Sequence, residues 1–293
     1  MVTAVGTSTP TVLGWFWRLP STKGLEQTDP MPTLVFLHGL NTFGDDDLHL
    51  GPLRFGLMHR HLESAFRERG VPFIPVTGIG AASPEVLAER AFAFLEKNAV
   101  LEREGSIDLL GQSVGGIVAR ALAARPELRG RVRTVMTLGT PHLGSTAAET
   151  GVEFESRHPW LDRAARLAGY DTRAKRDIFR HYTPAALKDF NERFPPVARE
   201  IALVCEVEPR DLTLPIRALF QHLQRKTADG RRLAGDGFIP TESQQRRENL
   251  GPFALDHLSA LGYFFFSRPS ARRRAEREFA RLVATVAELV TKA

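Results

Sequence analysis

The stretch Ile107-Asp108-Leu109-Leu110-Gly111-Gln112-Ser113-Val114-Gly115-Gly116-Ile117-Val118 decides the fold. A short apolar run, Ile107–Leu110, reads as a buried strand, and Val114–Ala124, rich in small residues, reads as a helix. Between them lies Gly-Gln-Ser-Val-Gly. Glycines two before and two after Ser113 let the backbone turn tightly, and Gly116 lets the helix lie close to the sheet. The bare pattern is weak, because glycine and serine are common. In its strand–turn–helix setting it reads as a nucleophile elbow, which lifts a serine hydroxyl above the end of a sheet. The competing reading is a serine N-cap between two turn glycines, and the context favours the elbow.

Outward from this stretch, strands alternate with helices. Thr33–Leu37, Val71–Val76, Val132–Leu138 and Ile201–Val207 are apolar runs of strand length. Pro52–Gly70 and Ser83–Asn98 read as helices, the latter with Phe92, Leu95 and Val100 among its apolar positions. Such alternation implies parallel strands joined by helical crossovers, an α/β sandwich with helices on both faces of a mostly parallel sheet. One interval is long: about 60 residues separate Leu138 from Ile201. Within it Trp160, Ala164, Leu167 and Ala168 repeat at helical spacing, as do Leu187, Phe190 and Phe194 after the N-cap pair Thr183-Pro184. The interval is a helical insertion, taken as residues 146–196 within a single domain, 1–293. Arg272–Val290 is an amphipathic helix carrying Phe279, Leu282, Val283, Val286 and Val290 on one side, its arginines on a solvated face.

Composition excludes several classes. With 43% hydrophobic and 25% charged residues the chain is neither disordered nor collagen-like. A net charge of +5 over 293 residues is too mild to point to nucleic acid. No apolar run is long enough to span a membrane. The single cysteine, Cys205, forms no intrachain disulfide and sits in an apolar strand, which suits a buried thiol. The N-terminus lacks the order of a signal peptide, since its first basic residue, Arg18, follows the apolar stretch Val12–Trp17. The expectation is a cytoplasmic protein, or a secreted one if a leader was removed ahead of residue 1.

A serine hydroxyl needs a base, and the base needs a carboxylate to orient it. Of the histidines downstream of Ser113, at 142, 158, 181, 222 and 257, His257 lies in a loop shortly before the last helices, where the base is expected. For the acid, Gly235-Asp236-Gly237 places a carboxylate in a turn after the strand Ile201–Val207. Asp211, nearer the strand end, and Asp256, beside the histidine, compete with it. A tetrahedral intermediate needs backbone N–H donors. Val114 supplies one, and Leu40, after the close-packing Gly39, supplies the second. His38, upstream of the serine, suits a hydrogen bond that fixes this loop.

The chain resembles the bacterial triacylglycerol lipases of the α/β-hydrolase superfamily. The resemblance runs from about Thr33 to Leu261. It rests on His38-Gly39-Leu40-Asn41, the elbow, Leu138-Gly139-Thr140-Pro141-His142-Leu143-Gly144-Ser145, Tyr182-Thr183-Pro184-Ala185-Ala186-Leu187 through Phe190-Asn191, Gly235-Asp236-Gly237 and Asp256-His257. It implies an α/β-hydrolase fold, a triad of Ser113, Asp236 and His257, an oxyanion hole at Leu40 and Val114, a lid carried by the insertion, and a lipid or other ester substrate met at a lipid–water interface. Many members also bind a structural calcium through an aspartate two residues after the histidine. Here that position is Ser259, a poor ligand for a hard cation, so neither cofactor nor metal is expected.

Asp45-Asp46-Asp47 with His49, and His59-Arg60-His61, look metal-like, but adjacent aspartates diverge. They read instead as an acidic first turn for the helix beginning near Pro52. Trp15 and Trp17 suit one face of an edge strand. The sequence therefore points to a carboxylic ester hydrolase. A carboxylesterase or polyester depolymerase with the same triad is the alternative within catalysis. A catalytically silent membrane-surface or partner-binding protein of the same fold is the alternative outside it.

Overall fold

The structure, a computed structural model, describes residues 31–39, 46–50, 53–103, 105–145, 178–218, 234–266 and 268–292. Trp15, Trp17, Leu40, His158, Trp160 and His222 lie outside the described residues.

Six strands form one parallel sheet. In chain order the described elements are β1 (Thr33–Leu37), β2 (Asp47–Leu50), β3 (Leu53–Leu57), α1 (Arg60–Arg67), β4 (Phe73–Pro75), α2 (Pro84–Lys97), α3 (Val100–Arg103), β5 (Ile107–Gln112), α4 (Val114–Ala123) and β6 (Val132–Leu138), followed by α5 (Pro184–Arg193), β7 (Arg199–Cys205), α6 (Thr241–Gln244), β8 (Glu248–Phe253) and α7 (Pro269–Thr291). The sheet order is β4-β1-β5-β6-β7-β8, with every pairing parallel. From β1 the chain first winds to β4 on one side and then to β5 on the other. The order therefore reverses at β1 and β5, and the crevice above their carboxyl ends is where such sheets hold ligands.

The sheet is buried on both faces, as a parallel sheet requires. Along β1, Leu34 and Phe36 pack into one core with α1 and α7, while Val35 and Leu37 pack into the other with α2, α4 and α5. Ser83 caps α2 by accepting from the Val86 N–H, and Thr183 caps α5 by accepting from the Ala186 N–H, each followed by proline.

Five points of the structure differ from the expectations above. Residues 52–70 are not one helix: β2 and β3 form an antiparallel hairpin, and α1 begins at Arg60. Leu53, Phe55 and Leu57 alternate with Arg54 and Gly56, a two-residue period that a helix cannot use. Asp46 and Asp47 consequently open no helix: Asp46 accepts from the Gly78 N–H at 3.0 Å, and Asp47 pairs with Arg54. The fifth apolar strand lies two residues earlier than its hydrophobic run, at Arg199–Cys205. Val100 belongs to the separate helix α3, since Ala99 breaks α2 with φ 52°. Finally, β8 was not anticipated. Asn249, Gly251 and Pro252 are poor strand residues, tolerated because β8 is an edge strand with only Phe253 fully buried.

Of the insertion, residues 178–196 are described, and one side of this segment is packed into the core. Ile178, Tyr182, Leu187 and Phe190 are all buried against the α2–α4 side of the sheet. Residues 146–177 lie outside the described residues. Cys205 is fully buried at the end of β7. The apolar side of α7 is buried, and three of its arginines pair with acids at the surface: Arg272 with Glu276, Arg281 with Glu278 and Arg274 with Asp211. Among the described residues no helix is long and apolar enough to cross a membrane.

Candidate active site

The carboxyl ends of β1 and β5 bring His38, Gly39, Gln112 and Ser113 together at the switch point. Ser113 stands between β5 and α4 with φ 55° and ψ −131°, a backbone conformation that a non-glycine residue rarely holds. It persists because its surroundings fix it: the Ser113 N–H donates to the Leu138 carbonyl of β6 at 2.8 Å, and its own carbonyl accepts from Gly116. Such strain is typical of functional positions. Val114 opens α4, so its N–H has no intrahelical carbonyl to bond.

Two loops at the far side of the sheet complete the site. After β7 and a detour, the chain returns when Val207 N–H meets the Gly235 carbonyl at 3.0 Å. The buried Gln244 holds this return in place. Its amide exchanges two hydrogen bonds with the Cys205 backbone and donates to the Ile239 carbonyl. Asp236, buried, accepts from the Phe238 and Ile239 N–H groups on Oδ1, which leaves Oδ2 for a partner. That partner is His257, whose Nδ1 lies 2.7 Å away. The His257 N–H also donates to the Asp236 carbonyl at 3.0 Å, and Phe238 packs against the imidazole with ring centroids 5.0 Å apart. Gly139 makes room for the pair. It has φ 55°, and a Cβ there would sit 2.8 Å from Asp236 Oδ2.

The competing carboxylates are occupied elsewhere. Asp211 binds Arg274 at 2.7 Å. Asp256 is fully buried and accepts from the Thr213, Leu258 and Ser259 N–H groups, so it caps its own loop. Burial pushes its carboxyl pKa above the ordinary value despite those bonds. Ser259 is also committed: its hydroxyl accepts from the Asp256 N–H at 2.8 Å and donates to the Asp256 carbonyl. These residues do not fit a calcium ion, which needs free carboxylate and carbonyl oxygens. Among the described residues there is no cluster of three or more metal-ligating side chains.

His38 performs the loop-fixing task expected of it, with Nε2 3.1 Å from Asp46 Oδ1. The residue that sequence reasoning missed is Gln112. Its side chain joins the Gly39 N–H at 3.1 Å to His257 Nε2 at 3.2 Å. A polar residue placed immediately before the serine at a buried strand end was the only available signal.

The two longest motifs quoted above turn out to be one structural unit. The Asn191 amide donates to the His142 carbonyl at 2.8 Å, and Arg120 donates to Asn191 Oδ1 at 2.6 Å. His142 is completely buried, with Nε2 3.0 Å from Thr137 Oγ1 and its N–H on the Ser243 carbonyl.

Comparison with known proteins agrees with this architecture. The family model of the PGAP1-like alpha/beta domain matches residues 94–157, which include the elbow. A lipase of Bacillus licheniformis in its mature form superposes with a TM-score of 0.58 at 20% identity, over 81% of this chain and 90% of that one. A Staphylococcus hyicus lipase superposes with a TM-score of 0.63 at 12% identity, over 91% and 97%. A metagenomic carboxyl esterase gives 0.59 at 18% identity, over 94% and 82%. No curated protein sequence matches the chain. The chain has the α/β-hydrolase fold.

Proposed function

We propose that the protein is a serine hydrolase of carboxylic esters. The observation that carries this reading is the Asp236–His257 contact at 2.7 Å, with His257 Nε2 3.2 Å from the side chain of Gln112, the residue that precedes the serine held at positive φ. In this reading Ser113 Oγ attacks the ester carbonyl while its proton passes to His257 Nε2. Asp236 orients the imidazole and stabilises its charged form. The N–H groups of Val114 and Leu40 receive the oxyanion. The imidazolium then protonates the leaving alcohol, and water, activated by the same histidine, releases the acid from the acyl-enzyme. No step passes through a metal.

Triacylglycerols at a lipid–water interface are the substrate we infer. The support is the long lipase-like motifs and the resemblance of the fold to two bacterial lipases. A carboxylesterase with the same machinery is the second reading, favoured by the resemblance to a metagenomic carboxyl esterase. Hydrolysis rates across p-nitrophenyl esters from acetate to palmitate, with emulsified triolein and a polyester film alongside, decide between them. A rate that rises with chain length and holds on triolein supports the lipase. A rate confined to short dissolved esters supports the esterase.

A further inference from the structure

The side chain of Gln112 has partners on two separate loops. Its Oε1 accepts from the Gly39 N–H at 3.1 Å, and its Nε2 lies 3.2 Å from His257 Nε2. A carboxamide presents oxygen on one side and an NH2 group on the other, whereas a backbone N–H can only donate. Gly39 therefore fixes the orientation of the amide, with oxygen toward the backbone and NH2 toward the imidazole. His257 Nε2 must then be the acceptor. The ring proton belongs on Nδ1, where Asp236 Oδ2 receives it at 2.7 Å. In the opposite tautomer two N–H groups would face each other on the Gln112 side and a bare nitrogen would face a carboxylate on the other.

Packing leaves this amide little freedom. Gln112 is the last residue of β5 and only 2% exposed, so water cannot substitute for its partners. Gly39 presses directly on it. A Cβ at Gly39 would lie 2.6 Å from Gln112 Oε1 and 2.9 Å from Ser113 Cβ, so a side chain there would drive the loop off the amide.

We propose that Gln112 is a positioning residue: anchored by Gly39, it selects the His257 tautomer whose Nε2 lone pair can take a proton, and it ties the loop after β1 to the loop that carries the base. The proposal rests on the reading of His257 as the base for Ser113. When the Ser113 Oγ–carbon bond forms, the serine proton goes to that lone pair and the carbonyl electron pair moves onto oxygen. The Gln112 N–H gives way at that moment, while its bond to Gly39 persists.

Two variants separate the two ends of the amide. Gln112→Glu keeps the length and the acceptor toward Gly39 but sets a carboxylate oxygen against Nε2. Gln112→Leu removes both ends at similar volume. For p-nitrophenyl acetate, kcat should fall about tenfold or more in Gln112→Glu and less in Gln112→Leu, with KM within about threefold of wild type in both. Melting temperature should fall in the reverse order, most for Gln112→Leu. A merely structural glutamine gives the opposite result, in which activity follows melting temperature and Gln112→Leu is the worse variant. Nitrogen-15 spectra of the wild-type protein, labelled in histidine and glutamine, supply a readout that needs neither variant nor activity. They should show a protonated Nδ1, an unprotonated Nε2 and a coupling across the hydrogen bond from the Gln112 amide. A protonated Nε2, or Gln112→Glu with near wild-type kcat, would overturn the proposal. Loss of the ester-hydrolase reading would look different: wild type would turn over no ester while the nitrogen spectra still reported the Gln112 contact.

Discussion

His257 and Asp236 are joined twice, side chain to side chain at 2.7 Å and backbone N–H to backbone carbonyl at 3.0 Å. The double joint orients the imidazole from the loop itself, and the Phe238 and Ile239 amides hold the second carboxylate oxygen. The Asp236 carboxylate is thus built into the turn that presents it.

Asp236→Asn preserves that turn but replaces a carboxylate that receives the Nδ1 proton with an amide that need not. Ester turnover should fall by about 10²–10⁴-fold. Asp211→Asn should stay within about twofold of wild type, because its carboxylate is spent on Arg274. Steady-state kinetics on a dissolved ester check both. A dead Asp211→Asn beside an active Asp236→Asn would reverse the assignment.

His142 sits completely buried, and burial first, then the positive charges of Arg246 and Arg120, hold its imidazole pKa well below the ordinary value. The unfolded chain takes a proton below about pH 6.5 where the folded chain cannot, so stability is fully present above that pH and is lost as pH falls below it. His59 and His61 are shifted the same way by burial and add to the effect. The melting temperature should decline from pH 7 to pH 5, and the His142 ring proton resonances should stay unchanged over that range. Titration of His142 with an ordinary midpoint would contradict this.

Arg120 is a buried guanidinium with every side satisfied. Glu200 lies at 2.9 Å, Asn191 at 2.6 Å and the Phe194 carbonyl at 2.8 Å. It thereby pins α5 and its trailing turn to α4 and β7. Arg120→Met leaves Glu200 paired with Arg246 alone and releases Asn191 and the Phe194 carbonyl, and should cost about 2 kcal/mol or more in denaturant unfolding. A loss below about 1 kcal/mol would mean that the network is a surface-like ornament rather than a joint.

Much of this arrangement is legible in the sequence. The elbow reads from glycines flanking a serine after an apolar run, and the caps of α2 and α5 read from Ser83-Pro84 and Thr183-Pro184. What escapes has a physical reason in each case. The hairpin β2–β3 hides because its strands are short and its second strand carries Gly56. Edge strand β8 hides because half-exposed strands need no hydrophobic run. The Gly-Asp-Gly turn and the lipase resemblance favour Asp236 over Asp211 and Asp256, while the commitments of the other two depend on where Arg274, Thr213 and Ser259 fold, which the sequence does not display. Gln112 is invisible because its two partners lie 73 and 145 residues away.

Ser259 and Asp256 spend their oxygens on each other and on backbone N–H groups, so neither offers calcium a ready ligand. Melting temperature and ester turnover should be indifferent to excess EDTA, with a shift of no more than about 2 °C. A larger drop that calcium restores would reveal a site built from other residues.

The most direct measurement is covalent labelling by a fluorophosphonate, followed by peptide mass mapping, in wild type, Ser113→Ala and His257→Ala. One label per wild-type chain is expected, on the peptide containing Ser113. Labelling should be absent in Ser113→Ala and slowed by several orders of magnitude in His257→Ala, while both variants keep the wild-type melting temperature within a few degrees. A label on any other serine, or ester turnover that survives Ser113→Ala unchanged, would contradict Ser113 as the nucleophile.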